Sequence, residues 1–199
     1  WASNCLRFDN AYLTPSSCSP SRCSIISGRY PHNTGAPELH TPLPEGVPVF
    51  PEILQQQGYY TAASGKWHMG EAPRTAFDTI VTDMALVGDG GEEAWRDLVA
   101  ERPKDKPFFM WFAAYDAHRD WGPNSFSGTH NPGDVTVPPY LVDADSTRAD
   151  LARYYDEIKR FDHYIGEVVD ELEQQNALDN TIIIVMADNG RPFPRCKTR

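Results

Sequence analysis

The chain has 199 residues, 40% of them hydrophobic and 12% aromatic, enough apolar material for one domain with a sizeable core and too much for a disordered segment. Its 18 Lys and Arg against 28 Asp and Glu leave a net charge of −10 without any strongly basic run, which excludes nucleic acid as the main partner. No apolar stretch approaches the roughly 18 residues that a membrane-spanning helix requires.

Taken in chain order, the first helix signal lies at 18–28, where Pro20 suits a first turn and Gly28 suits a stop. Residues 49–57 read as a short helix ended by Gly58, and 59–64 as a strand leading to a loop at Gly65. Residues 91–101 read as a helix, 103–107 break it, and the aromatic run 108–115 suits a strand buried on both faces. Residues 120–145, rich in Pro, Gly, Asn and Asp, read as a long surface loop. Thr147 and Asp150 have capping-box spacing, and Leu151, Tyr154, Tyr155, Ile158, Phe161, Ile165, Val168, Val169 and Leu172 mark one face of a long amphipathic helix. After a turn at Asp179-Asn180, the Ile-rich segment 181–187 has the pattern of a central strand. The alternation predicts an α/β domain whose mostly parallel or mixed central sheet carries helices on both faces.

In an open α/β sheet, ligands bind beyond the carboxyl ends of the strands. Three sets of polar residues are expected there: Lys66 with His68, then His118, then Asp188 with Asn189. A cysteine at a helix start, as Cys18 is, stands at the positive end of the helix with Arg22 one turn on, an environment that favours a thiolate nucleophile or an anion. The alternative for such a cysteine is a small buried residue. An acidic chain that binds an anion must gather its few cations in one pocket, so the positions of Arg and Lys carry more information than their number.

Cys18-Ser19-Pro20-Ser21-Arg22 resembles the C-x-P-S-R motif of formylglycine-dependent sulfatases of the alkaline-phosphatase superfamily. Ile25-Ile26 and Gly28 fit its longer form, and Ser27 stands where Thr is usual. Gly58-Tyr59-Tyr60-Thr61 followed by Gly65-Lys66-Trp67-His68-Met69-Gly70 resembles the family's second motif. Asp116-Ala117-His118-Arg119, the long helix and Asp188-Asn189-Gly190 before Pro192-Phe193-Pro194 follow in the family order. The resemblance runs most strongly to the heparan N-sulfatase (sulfamidase) branch and to bacterial glycan sulfatases.

The resemblance implies that Cys18 is oxidised to Cα-formylglycine by a formylglycine-generating maturation enzyme. The hydrated aldehyde would attack sulfur, while His118 protonates the leaving atom and Lys197 holds a sulfate oxygen. His68 would then take the proton of the second hydroxyl so that sulfate is expelled, and Arg22 and Lys66 would hold the hydrate and the sulfate. A divalent cation, usually calcium, would be bound by modified Cys18, Asp188 and Asn189 together with two aspartates of a strand expected before Trp1. A sulfate ester is an anionic, poor electrophile, so its site needs cations, and calcium favours carboxylate and amide oxygens.

On this reading residues 1–199 are part of an N-terminal catalytic domain, with the first strand and a smaller C-terminal domain outside them. The substrate would be a sulfated sugar or glycosaminoglycan, and the protein would act outside the cytoplasm: periplasmic, secreted or lysosomal. Sulfamidase action on N-sulfoglucosamine and phosphodiester or phosphonate hydrolysis within the superfamily are the competing reactions; a non-catalytic binding module is the competing class. Arg119 either contacts an anionic group of the substrate or pairs with Asp116 or Asp120. His32, His40, His130 and His163 read as structural, although the loop carrying His32 and His40 could line the substrate cleft. Cys5, Cys23 and Cys196 read as free or structural.

Overall fold

The structure, a computed structural model, describes residues 5–197. Helix α1 (Cys18–Ser27) carries Pro20 in its first turn and ends at Gly28, whose left-handed φ of 66° costs glycine nothing sterically. The short helix α2 (Pro31–Thr34) precedes α3 (Phe50–Gln56), which leads into strand β1 (Tyr60–Gly65). Strand β2 (Thr79–Val81), helices α4 (Met84–Val87) and α5 (Trp95–Glu101), strand β3 (Phe108–Ala113) and the 30-residue helix α6 (Asp145–Gln174) follow. The three strands form a parallel sheet in the order β2-β1-β3, with Tyr60 opposite Phe108 and Gly65 opposite Ala113. The chain is thus an α/β fold, as its alternating pattern predicts.

Strand alternation divides the core between the two faces of the sheet. Phe109 and Trp111 of β3 point toward α1 and α3 and pack against a buried cluster that includes Cys23, Ile26, Val49, Ala63, Trp67, Met69 and Phe77. Phe112 points the other way and stacks on the buried indole of Trp95 at 5.3 Å, with Phe161 of α6 edge-on to the same indole. Central β1 is buried from Thr61 to Gly65, whereas β3 is half-buried over most of its length because it flanks the sheet on one side only.

The loop 120–145 is held down rather than open. The Asp156 carboxylate of α6 accepts hydrogen bonds from the main chain of Gly128 and His130 and from the Thr129 hydroxyl, at 2.7–3.0 Å. Val135, Leu151, Ala152 and Phe193 form a second apolar cluster, lined by Trp121, Val137, Leu141, Tyr154 and Tyr155. This cluster ties the loop, the first turns of α6 and the segment near Phe193 into one unit.

Two expectations are corrected, and one strand had no counterpart among them. Residues 181–187 form no strand: they pair with none of β1, β2 or β3, and Ile182 is 90% exposed and Ile184 78% exposed. Apolarity gives a segment strand propensity, but a strand exists only where a neighbour offers its hydrogen bonds. Helix α6 begins at Asp145 behind Ala144, whose methyl group cannot cap it, so Thr147 lies inside the helix and Asp150 accepts from Arg119 and Trp121. Strand β2, only three residues long, was below the length at which alternation is legible.

Candidate active site

Because β1 and β3 are parallel neighbours, their carboxyl ends lie side by side, and the Lys66 N–H donates to Ala113 O at 2.7 Å across the end of the sheet. Gly65 makes that junction possible. Its φ is +87°, and a Cβ there would stand 2.1 Å from Ala113 O and 2.6 Å from Gly91 O. The chain can therefore turn out of β1 directly against β3 and present Lys66 and His68 beyond the sheet.

Cys18 occupies the first turn of α1 and is 3% exposed. Arg22, four residues on and so on the same face of the helix, is equally buried. Its guanidinium commits three of its five N–H donors: Nε donates to Trp67 O at 3.1 Å, Nη2 donates to Lys66 O, and Nη1 donates to Asp188 Oδ2 at 3.1 Å. The Trp111 ring lies beneath it at 5.7 Å. Arg22 thereby fastens the 66–67 backbone to Asp188, and Lys66 Nζ reaches the same carboxylate oxygen at 3.9 Å. Lys197 Nζ lies 3.2 Å from Cys18 Sγ, and the Ser16 hydroxyl donates to Cys196 O at 3.0 Å, which holds the 188–197 segment over the start of α1. Cys18, Arg22, Lys66, Asp188 and Lys197, dispersed over 179 positions of sequence, meet at this one place.

His68 stands at the edge of this cationic cluster with φ +54°, and its pKa is lowered below the ordinary 6.5, first by burial and then by the charges of Lys66 and Arg22. Asp188 opposes the shift and Lys197 adds to it. A neutral imidazole in such a place is suited to accept a proton. Its Nε2 lies 2.7 Å from His40 Nδ1, a partner that sequence spacing gives no signal for.

His118 follows β3 and is held by a turn from its own N–H to Tyr115 O. Its Nδ1 lies 2.6 Å from Arg119 O, and no hydrogen bond joins it to the Cys18 cluster among the described residues. What links its loop to that cluster is Arg119. The Arg119 guanidinium makes a two-pronged pair with Asp150, Nη1 to Oδ1 at 2.9 Å, donates from Nε to Pro192 O at 3.1 Å, and lies over the rings of Trp121 and Phe193. Arg119 thus pairs with Asp150, rather than with Asp116 or Asp120, and clamps the His118 loop to the segment that carries Asp188 and Asn189.

Asn189 Nδ2 donates to Gly190 O, whereas its Oδ1 is buried with no hydrogen-bond partner. An orphaned carbonyl oxygen beside a carboxylate fits a hard cation, and calcium takes six to eight such ligands. Among the described residues, however, no group of three or more His, Cys, Asp or Glu could hold a metal ion, so Asp188 and Asn189 supply only part of a coordination sphere. The buried Cys23 thiol is pushed up to about 11 by burial, which makes it an inert core residue, and Cys196 Sγ contacts the Tyr140 hydroxyl at 3.1 Å.

The family model for sulfatases matches residues 1–197. The chain is 31% identical to human N-sulphoglucosamine sulphohydrolase over 97% of its own length and 45% of that protein's. It is 28% identical to an ulvan-active sulfatase of Formosa agariphila, over 96% of this chain and 38% of the other. The chain therefore spans about half the length, or less, of these curated relatives. Among solved structures, one bound to its substrate D-glucosamine-2-N,6-O-disulfate superposes with a TM-score of 0.65 at 20% identity, covering 88% of this chain and 56% of the other. A phosphonate monoester hydrolase from Silicibacter pomeroyi superposes with a TM-score of 0.68 at 17% identity, over 90% and 54% of the two chains, which shares the fold alone. With both motifs converging on one buried cysteine and a match along 197 residues, the chain belongs to the sulfatase family.

Proposed function

We propose that the protein to which these residues belong hydrolyses sulfate esters of a sulfated sugar or glycosaminoglycan, with Cys18 as its formylglycine. The observation that carries this reading is the Cys18 environment: a buried side chain in the first turn of a helix, 3.2 Å from Lys197 Nζ, one turn from an Arg22 tied to Asp188. Modified Cys18 would supply a hydrated aldehyde as the nucleophile toward sulfur.

The remaining residues divide the work. Lys197 and Lys66 neutralise sulfate oxygens, an electrostatic role that strengthens as water is excluded. Arg22 fixes the 66–67 backbone and Asp188 in place with three of its donors, and the two N–H groups left over can reach the hydrate and a sulfate oxygen. His118 protonates the leaving oxygen or nitrogen, and neutral His68 takes the proton whose removal releases sulfate. Asp188 and Asn189 Oδ1 would hold a calcium ion with ligands from outside the described residues. The ion would supply charge neutralisation for the sulfate group.

The identity to N-sulphoglucosamine sulphohydrolase favours a second reading, cleavage of an N-sulfate on glucosamine, for which the leaving atom changes and the sulfate pocket does not. Phosphodiester or phosphonate hydrolysis has only the shared fold behind it. The other partner is a formylglycine-generating enzyme, and the expected site of action is extracytoplasmic, periplasmic, secreted or lysosomal. No helix among the described residues is long and apolar enough to cross a membrane.

The test is the full-length protein produced with a maturation enzyme. A mass loss of about 18 Da on the Cys18 peptide marks conversion of thiol to aldehyde. Turnover of O-sulfated over N-sulfated glucosamine then supports the ester reading, the reverse order the sulfamidase reading, and preference for phosphate diesters the third. Full conversion without turnover of any of them would sink the enzymatic reading.

A further inference from the structure

His40 and His68 are 28 residues apart, yet their rings meet with centroids 4.8 Å apart and Nδ1 of His40 2.7 Å from Nε2 of His68. Both residues adopt left-handed backbone conformations, φ +67° and +54°, which are uncommon for side chains of this size. His40 is anchored besides by its own N–H, which donates to Ser19 Oγ at 2.8 Å, next to Cys18. The His40 loop is therefore fastened to the start of α1 and aimed at His68, although its ring remains exposed on the far side.

We infer that His40 is a positioning residue for His68: its Nδ1 accepts a hydrogen bond from the Nε2–H of His68, which fixes the His68 tautomer and leaves Nδ1 of His68 as the free base. This rests on the reading of His68 as the residue that takes the proton in the release of sulfate. The chemistry asks for such a partner. When Nδ1 of His68 accepts a proton, the ring becomes an imidazolium facing Lys66, Arg22 and Lys197, with Asp188 alone on the opposing side. A hydrogen bond from a charged donor is about twice as strong as a neutral one, so the His40 acceptor stabilises the protonated ring more than the neutral one. That is the orienting role of the third member of a catalytic triad, performed here by a neutral imidazole.

The backbone at His40 permits a clean test, because Gly and Asn both tolerate positive φ, and the main-chain bond to Ser19 survives either substitution. His40→Gly removes the acceptor, and His40→Asn keeps one in nearly the same place. In the full-length protein labelled with ¹⁵N-histidine, at a pH where imidazoles are neutral, His68 is expected to hold the Nε2–H tautomer. It should become a tautomer mixture in H40G and return to Nε2–H in H40N. In the matured full-length enzyme, H40G is expected to lower kcat about tenfold or more with little change in KM, and H40N to recover most of it. An unchanged His68 tautomer in H40G, or an unchanged kcat, overturns the inference. A wild-type enzyme that cleaves no sulfated sugar while the tautomer still moves as expected refutes the sulfatase reading and leaves the hydrogen bond to His40 standing.

Discussion

Glu92 is 1% exposed, neither of its carboxylate oxygens has a hydrogen-bond partner, and it lies in a group with Asp116, Glu157 and a single cation, Arg160. Arg160 is committed to Asp116, at 2.7 Å from Nε and 2.5 Å from Nη2, and reaches Glu157 at 3.2 Å; Asn124 Nδ2 donates to the other Glu157 oxygen. One guanidinium cannot neutralise three carboxylates in so dry a place. Burial first, and then the charge of Asp116, push the Glu92 carboxyl up from 4.5 to about 8, and burial likewise pushes Glu157 to about 8.

The folded state therefore holds a proton on Glu92, and another on Glu157, that the unfolded chain releases at an ordinary acidic pH. Stability from this source is complete below pH 4.5 and is lost as pH rises toward about 8. One proton followed across that window changes stability by about 1.4 kcal/mol per pH unit, so about 3 kcal/mol between pH 5 and 7.5. Glu92→Gln supplies the neutral group permanently. Urea unfolding of the dilute 199-residue chain followed by circular dichroism should show the wild type losing more stability across this range than E92Q, in which only Glu157 still titrates, with E92Q the more stable of the two at pH 8. The lowered pKa of His68 acts in the opposite sense, since its contribution is present above 6.5 and falls away as pH drops through the folded value. It is common to both proteins and cancels in their difference. Parallel pH profiles for wild type and E92Q would refute the reasoning.

Two further outcomes follow from packing. Gly65→Ala puts a Cβ 2.1 Å from Ala113 O at a φ of +87°, so backbone strain and overpacking together should cost at least about 3 kcal/mol, read as a lower urea midpoint. Arg119→Lys cannot reproduce the two-pronged pair with Asp150 together with the bond to Pro192 O; because the pair is about a third exposed, the stability loss should stay near 1–2 kcal/mol. In the matured full-length enzyme the same substitution should lower kcat by more than that loss explains, since the His118 loop would no longer be clamped to the Asp188 segment; equal losses would reduce Arg119 to a stabilising residue.

The parts of the fold visible in the sequence are those that depend on neighbours in the chain. The apolar stripe of α6, the aromatic alternation of β3 and the glycine after α1 each state their structure locally. The Cys18 and Lys66 motifs likewise locate the site, because each places several chemically matched residues within a few positions. What escaped was decided by contacts made at a distance. Asp150, expected in a cap, is engaged by Arg119, 31 residues earlier, a partner that neither reading of Arg119 named. His40 has no motif around it, and only the folding of its loop onto Ser19 brings it to His68. The segment 181–187 has every local mark of a strand and lacks the neighbour that would make it one.

That segment has a practical consequence. From Ile182 to Met186 the main chain belongs to no helix or strand, and Ile182, Ile184, Val185 and Met186 are exposed. An uncharged, branched, five-residue stretch without proline or glycine is a template for adding strands, and concentration is all that intermolecular addition requires. These 199 residues prepared alone should therefore cloud and form β-rich aggregates as they are concentrated. A charge introduced at Ile182 or Ile184, which contributes nothing to the core, is the change that should keep them in solution.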